Sequence, residues 1–306
     1  VTKEVSMEYK NVVFYNHGEV RDMWYAREFV KSLMESLPAI YFHYSCEKNN
    51  NLFYDTPEIT YVPLDSNCLK NEPYVIFGNT LYINTWTGYD KSRYYYPDRA
   101  VSLNTIKTML EDTLYIASIK HKFYASYSEY IPNPDNIYAD DSIYDNINKF
   151  IYDNVNNPIL LFINDKPDTH YAYDLNISKH ITYLSKKNKD IVFIVTERYN
   201  YMPKSIYTVD EIIGNYYYTN FIQGINYLSY FVDAIIGNGS NYFSVTQCVA
   251  NYSNPYLYLL NFVYDKFNAH LITQQESRAI LAWYGGKDDA TIDDELEKAI
   301  KWSLHE

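Results

Sequence analysis

Four apolar runs in the second half of the chain limit the folds that it can adopt. They are PILLFIND (158–165), DIVFIVTE (190–197), DAIIG (233–237) and YLYLLNFV (256–263). Runs of this kind are typical of strands that are covered on both faces, as in a parallel sheet. Segments with a helical spacing of apolar residues lie between them, so the pattern predicts alternating strands and helices.

The first half of the chain repeats this pattern, with a strand at 11–16, a helix at 21–37 and a strand at 39–45. Further strands are predicted at 59–63, 74–77 and 80–86, and further helices at 103–119 and 142–154. Two such halves predict an α/β protein of two Rossmann-like, doubly wound domains that face each other across a cleft.

The predicted domain boundaries follow from the same pattern. We place a first domain at 1–150, a second domain at 151–290 and a terminal helix at 291–306. The sequence leaves open whether the terminal helix packs back on the N-terminal domain.

Charge and cysteine content exclude several classes of protein. The net charge of −12 argues against a general binder of nucleic acid or of membrane surfaces, because both are anionic. The three cysteines show no CxxC spacing, which favours a reducing cytoplasm over a disulfide framework or a zinc site. No apolar stretch approaches the roughly 20 residues of a membrane span. We expect a cytoplasmic protein, either free or peripheral to a membrane, without stable membrane insertion.

The turn GNGSN follows the third apolar run, although the whole chain has only 9 glycines. Small residues at the start of a helix leave backbone N–H groups open to an anion, and the helix dipole favours negative charge there. An ordinary tight turn explains the same letters. Because neighbouring strands end in other suitable groups, we favour a cradle for a diphosphate, formed by Gly237, Asn238, Gly239, Ser240 and Asn241.

Two other strand ends of the second half supply candidates for binding the same ligand. Lys166, close after Asn164, is a cation suited to phosphate. Glu197 ends the next strand, where a carboxylate can accept ribose hydroxyls. A solvated loop and a surface salt bridge are the alternatives for these positions.

The first half offers a candidate for general base catalysis where its first strand turns into a helix. The segment NHGEVRD places His17, Glu19, Arg21 and Asp22 there. A carboxylate at the mouth of a cleft is a natural general base, so Glu19 is our first candidate, with Asp22 and His17 as alternatives. Arg21 is assigned to acceptor binding.

The segment INTWTGYD ends another strand of the first half and places Asn84, Trp86 and Tyr89 together. These side chains can stack on a sugar and form hydrogen bonds with it, whereas a tryptophan of the core is the alternative for Trp86. HExxH, CxxC and GxSxG motifs are missing, which removes the common zinc-hydrolase and serine-hydrolase interpretations. We predict no metal site and no cofactor.

Four segments together resemble glycosyltransferases of the GT-B fold, near the bacterial heptosyltransferases. YLSYFVDAIIGNGSNYFSVTQC is similar to the segment that holds the donor diphosphate in that family, and HGEVRDMWYAREFVKSLM to its opening Gly-Asp turn and helix. LLFINDKP and FIVTERYN fall in the order in which the family places a phosphate-binding lysine and a ribose-binding acid. Glu19 stands where the family usually has Asp, and the turn differs too, so the nucleotide and the sugar do not transfer.

The resemblance implies an inverting, metal-independent transfer from a nucleoside-diphosphate sugar to a glycan or a lipid-linked saccharide. It also implies that the domain at 1–150 binds the acceptor and that the domain at 151–290 binds the nucleotide sugar. In this mechanism Glu19 is the base, Lys166 and the GNGSN turn stabilise the leaving diphosphate, and Glu197 binds the ribose. Alternatives are a polysaccharide-modifying transferase of the pyruvyl type, a nucleotide- or glycan-binding module without catalysis, and a purely structural protein.

Overall fold

The computed structural model describes residues 10–37, 39, 41–47, 52–86, 137, 139–165, 177–214, 218–238, 240–263, 280–283 and 289–305. The chain divides into two compact units, of which the first contains the described residues up to 86 and the second those from 137 onward. The helix predicted at 103–119 lies outside the described residues.

The first unit is built on a five-stranded sheet with the strand order β3-β2-β1-β5-β4. Only β4 runs antiparallel, against β5. The chain leaves β1 on one side and returns beside it as β5, so the switch point of the sheet lies between these strands. Its elements are β1 (Asn11–Asn16), α1 (Val20–Ser36), β2 (Tyr41–Cys46), β3 (Ile59–Val62), β4 (Tyr74–Phe77) and β5 (Thr80–Asn84).

The second unit is built on a six-stranded parallel sheet with the order β11-β10-β9-β6-β7-β8. Counted along this unit, the order is 3-2-1-4-5-6, that of dinucleotide-binding folds, and its switch point lies between β6 and β9. Its elements are α2 (Asp141–Asp153), β6 (Ile159–Ile163), α3 (Ser178–Lys187), β7 (Val192–Val195), β8 (Ile206–Thr208), α4 (Val209–Ile213), α5 (Tyr218–Leu228), a 3-10 turn (Ser229–Phe231), β9 (Ala234–Gly237), α6 (Asn241–Val245), α7 (Val249–Ser253), β10 (Tyr258–Val263), β11 (Ile280–Trp283) and α8 (Asp289–Ser303).

The central strands of the second unit are buried along their whole length, as their apolar sequences predict. All five residues of β6 and all four of β7 are buried. Phe162 and Phe193 stack on one another with ring centroids 5.8 Å apart. Two short strands, β8 and β11, were not predicted. The apolar spacing of residues 241–250 predicts one helix, whereas the structure divides this region between α6 and α7.

Two helices belong to the second unit and change the predicted domain boundaries. Helix α2 buries Ile143 and Ile147 against α4 and α5, so residues 141–150 lie with the second unit and not the first. Helix α8 packs on β9 and β10 of the second unit. Its apolar side chains are spaced as one helix face and complete the core of that sheet. They are Ile292, Leu296, Ala299 and Ile300.

Candidate functional site

The switch point of the second unit gathers the predicted donor-binding residues that the structure describes. Asn164 follows β6, Glu197 follows β7, and Asn238 and Ser240 follow β9. Because β6 lies between β7 and β9 in a parallel sheet, the three loops leave the same edge. Lys166 and Gly239 lie outside the described residues, as does the side chain of Asn241.

Asn164 holds the ends of β6 and β7 together. Its Oδ1 accepts hydrogen bonds from the backbone N–H of Glu197 at 2.9 Å and from Thr196 Oγ1 at 3.1 Å. Its Nδ2 donates to the carbonyl of Glu197 at 2.8 Å. The amide of Asn164 is therefore used by the protein itself and fixes the backbone from which the exposed Glu197 carboxylate projects.

Asp165 links the loops that follow β6 and β9, a role that the sequence analysis did not assign to it. The residue is 6% exposed, and its carboxyl group accepts hydrogen bonds from Ser240 Oγ and from the backbone N–H of Tyr242. Burial raises the pKa of Asp165 to about 7; the negative charge of Glu197 also raises it, and the Ser240 hydrogen bond opposes the shift. The sequence signal that could have indicated this contact is an acid directly after one buried strand and a serine that precedes a helix after another.

Several hydrogen-bonding groups of the turn after β9 are already bonded within the protein. Ser240 is the N-cap of α6, and its Oγ accepts the N–H of Phe243 at 3.3 Å. The N–H groups of Tyr242 and Phe243 thus bind inside the protein. Asn238 has no left-handed backbone, and its buried Oδ1 accepts no hydrogen bond within the described part of the chain. Asparagine tolerates a left-handed backbone better than most residues, but this does not explain its presence at position 238.

Gly237 is explained by packing. A Cβ atom at this position would lie 2.5 Å from Cδ2 of Phe243 and 3.0 Å from Cβ of Ile163. Both distances are shorter than a normal carbon–carbon contact. The glycine lets the ring of Phe243 lie directly on the end of β9, which fixes where α6 begins.

We expect Gly237→Ala to destabilise the protein by about 1–3 kcal/mol through overpacking, and Phe243→Ala by about 3–5 kcal/mol through loss of a buried ring. Because removal of the ring makes room for the new methyl group, the double variant should be less destabilised than the sum of the two. Urea unfolding of the three variants and the wild type measures this coupling. Additivity within about 0.5 kcal/mol would show that the two residues do not interact.

The switch point of the first unit brings together the ends of β1 and β5. Asn16 Nδ2 donates to Thr85 Oγ1 at 3.3 Å across it. The predicted acceptor-binding residue Asn84 is fully buried; its Nδ2 donates to the carbonyl of Glu72 at 3.0 Å, and its Oδ1 accepts the N–H of Trp86 at 2.9 Å. The amide of Asn84 therefore shapes the loop. Tyr89 lies outside the described residues.

The two carboxylates of the β1–α1 turn form the start of α1. Glu19 is the N-cap, and Asp22 Oδ2 accepts its backbone N–H at 3.0 Å in a reciprocal capping box. A Cβ atom at position 18 would lie 2.4 Å from that oxygen, so Gly18 permits Asp22 to fold over the turn. The carboxylate of Glu19 is exposed, whereas Arg21 is only 7% exposed.

His17 is held at the same edge by three neighbours. Its Nε2 lies 2.8 Å from the carbonyl oxygen of Cys68. The ring meets those of Tyr15 and Trp86 edge to face, with centroids 5.7 Å and 6.2 Å away. Trp86 is half-buried, and the Nζ of Lys70 lies 5.0 Å from its ring centroid. Trp86 is thus partly open to a ligand.

Other features of the described residues lie away from these two edges. A pocket of about 550 Å³ in the second unit is lined by α2, β8 and α4, and none of the predicted site residues lines it. No three His, Cys, Asp or Glu side chains of the described ranges are grouped as a metal site would require. Within the same ranges, no helix combines the length and the apolar character of a membrane span.

No protein-family model matches the chain, and no curated protein sequence matches it. Among solved structures, it is similar to a glycosyl transferase of family 9 from Veillonella parvula, with 10% identity, 98% of each chain covered and a TM-score of 0.57. ADP-heptose LPS heptosyltransferase II of E. coli aligns at 12% identity over 96% of this chain and 99% of that one, with a TM-score of 0.47. Heptosyltransferase WaaC of E. coli, solved with ADP, aligns at 8% identity over 97% and 100%, with a TM-score of 0.48.

The likeness to the Veillonella structure extends over the whole of both chains. Together with the two largely parallel sheets, it confirms the predicted fold class of two Rossmann-like halves of the GT-B type. The resemblance inferred from four short segments is therefore confirmed at the level of the fold.

Proposed function

We propose that this protein is a glycosyltransferase that moves a sugar from a nucleoside-diphosphate sugar to a hydroxyl group of a glycan or a lipid-linked saccharide. The second unit binds the donor, and the first unit binds the acceptor. The reaction inverts the anomeric centre and uses no metal ion.

The observation that carries this proposal is the place where the donor candidates meet. Asn164, Glu197, Asn238 and Ser240 follow adjacent strands at the switch point of a sheet with the dinucleotide-binding order. Ligands of open α/β sheets bind at that position. The likeness of the whole chain to a family 9 glycosyl transferase supports a sugar donor over other ligands of such sheets.

Each donor residue has a role in this proposal. Glu197 accepts the ribose hydroxyls, and Asn164 positions it through the two backbone hydrogen bonds. Lys166 and the N–H groups of Gly239, Ser240 and Asn241 bind the diphosphate and stabilise its charge as it leaves. On the acceptor side, Trp86 and Tyr89 stack on the sugar and Arg21 assists. The acceptor proton passes to the β1–α1 turn.

Binding of free nucleotides tests the donor site. We expect one of ADP, GDP, UDP and CMP to raise the unfolding midpoint of the wild type, because a ligand that binds only the native state stabilises it. Lys166→Ala and Glu197→Gln should each weaken that nucleotide about 10- to 100-fold through loss of a charge-assisted hydrogen bond. Titration calorimetry measures the affinities.

Lys189→Ala is the matched control, since Lys189 is an exposed lysine of the same unit that precedes β7 and lies at the opposite edge of the sheet. It should leave nucleotide affinity within twofold of wild type. A wild type that none of the four nucleotides stabilises would refute the proposed donor, and equal losses in Lys189→Ala and Lys166→Ala would refute the site.

A further inference from the structure

We infer that His17, acting through Nδ1, is the general base for the acceptor hydroxyl, and that Glu19 and Asp22 are positioning residues of the helix start. The inference rests on the proposed function. It reverses the order of candidates that the resemblance to GT-B enzymes implies, in which the acid of the turn is the base.

The contact with Cys68 sets the tautomer of His17. A backbone carbonyl can only accept a hydrogen bond, so the Nε2 that lies 2.8 Å from Cys68 O must carry the hydrogen. In the neutral ring the other nitrogen is then an unprotonated acceptor. Nδ1 has no hydrogen-bond partner in the described part of the chain and is not one of its buried unpartnered atoms, so none of the described residues uses this lone pair.

The surroundings fix the direction in which Nδ1 points. The rings of Tyr15 and Trp86 both contact the imidazole edge to face. Tyr15 is itself anchored, because its hydroxyl donates to the carbonyls of Leu69 at 2.9 Å and of Glu72 at 3.1 Å. The segment that carries Cys68 is thus tied to β1, next to the residue that it orients. A base whose second nitrogen is fixed by another group is the arrangement that general-base catalysis requires.

The two carboxylates of the β1–α1 turn already accept hydrogen bonds from the backbone at the start of α1. Asp22 Oδ2 accepts the N–H of Glu19 at 3.0 Å, and the side chain of Glu19 accepts the N–H of Asp22 in return. Uptake of a proton by either carboxylate would weaken this capping box and the favourable interaction of a negative charge with the helix dipole. His17 can take a proton without loss, since its imidazolium keeps the bond to Cys68.

The step is a single displacement. The acceptor O–H proton passes to Nδ1 of His17, and the oxygen lone pair forms the bond to the anomeric carbon. The bond from that carbon to the diphosphate oxygen breaks, and its electron pair leaves with the nucleoside diphosphate. Among the described residues, the titratable and charged side chains around His17 belong to its ring neighbour Tyr15 and to its hydrogen-bond partner Cys68. Those one contact further away are Asp65 beside Cys68, Lys70 over Trp86, and Glu19 and Asp22 of the following turn.

The tautomer is tested directly by long-range ¹H–¹⁵N NMR of protein labelled at its 7 histidines, at pH 8. His17→Gln identifies the signal of His17 by its loss. We expect Nε2 to be protonated and Nδ1 to show the shift of an unprotonated nitrogen. A protonated Nδ1 would overturn the inference, whatever the substrate of the protein is.

Activity tests the role of base. Water replaces the acceptor in the hydrolysis of ADP-glucose, GDP-mannose and UDP-glucose, followed as release of the nucleoside diphosphate. We expect His17→Gln to lower the rate at least about 100-fold with unchanged nucleotide affinity, and Glu19→Gln to stay within tenfold of wild type, since glutamine still caps the helix.

The opposite ranking of the two variants would overturn the inference. A wild type that binds none of the nucleotides refutes the proposed function, and the NMR result still decides the tautomer. If the wild type binds a nucleotide but hydrolyses none of the three nucleotide sugars, the tautomer decides, and a protonated Nδ1 would overturn the inference.

Discussion

Asp165→Asn is expected to stabilise the second unit at pH 8 and to leave its stability at pH 4 close to that of the wild type. Burial raises the pKa of Asp165 from 3.8 to about 7, so the folded protein keeps this proton to a higher pH than the unfolded chain does. The stability that the proton supplies is complete below about pH 4 and is lost as the pH rises through about 7. At about 1.36 kcal/mol for each pH unit, the wild type should lose about 2–4 kcal/mol relative to the variant.

Asparagine is the appropriate replacement because its carbonyl oxygen still accepts the hydrogen bonds of Ser240 and Tyr242. Urea unfolding of both proteins at pH 4, 6 and 8, followed by a probe in the second unit, measures the difference. Asp190→Asn is the matched control, since Asp190 is an exposed acid of the same unit. An offset between Asp165→Asn and wild type that stays constant with pH would contradict the expectation, as would an equal pH dependence in the control.

The strands that sequence predicts well are those whose apolar residues are buried without interruption. β6, β7 and β9 follow their apolar runs to within two residues at each end. β8 was missed because it has three residues, and its central Tyr207 is exposed between two buried neighbours. Such a segment becomes a strand by pairing with β7, which local propensity does not encode.

The break between α6 and α7 has a local cause that apolar spacing does not reveal. Thr246 Oγ1 donates to the carbonyl of Phe243 at 2.7 Å, and Ser244 Oγ to that of Ser240 at 3.1 Å. Short hydroxyl side chains compete with the backbone for these carbonyls. Asn251 then bonds the carbonyl of Thr246 from outside the helix. The spacing predicted one helix because it counts apolar positions only.

For the candidate site, the strand-end rule predicted where polar groups gather, but not what each group binds. Asn164 and Asn84 have the right position and side chains that could contact a ligand, yet both amides bind the backbone of the protein. Asp165 shows the reverse: its importance comes from burial beside Ser240, which depends on how two loops that are distant in sequence meet. The hydrogen-bond partners of a side chain and the extent of its burial depend on how the loops pack together in three dimensions.

Arg27→Met is expected to destabilise the first unit by about 3–5 kcal/mol, the usual cost of breaking a buried ion pair. Arg27 lies on α1 with its side chain fully buried and contacts the carboxylates of Glu28 and Asp55. Its Nε also donates to the carbonyl of Leu52 at 2.8 Å. Methionine fills much of the same volume, so the loss would come from Asp55 Oδ2 and the carbonyl of Leu52, for which the described residues show no other donor.

Lys31→Met is the matched control, one turn further along α1. Its ammonium lies 3.5 Å from Glu28, but the side chain is 32% exposed, so its loss should cost less than about 1 kcal/mol. Asp55→Asn in the Arg27→Met background removes the stranded charge and should recover part of the loss. Urea unfolding gives the free energies, and amide exchange of Thr56 and Ile59, which follow the anchored segment, should quicken in Arg27→Met alone. Equal losses of unfolding free energy in Arg27→Met and Lys31→Met would contradict the expectation. Arg27 would then contribute no more to stability than a surface charge, and strand pairing alone would hold β3 to the sheet.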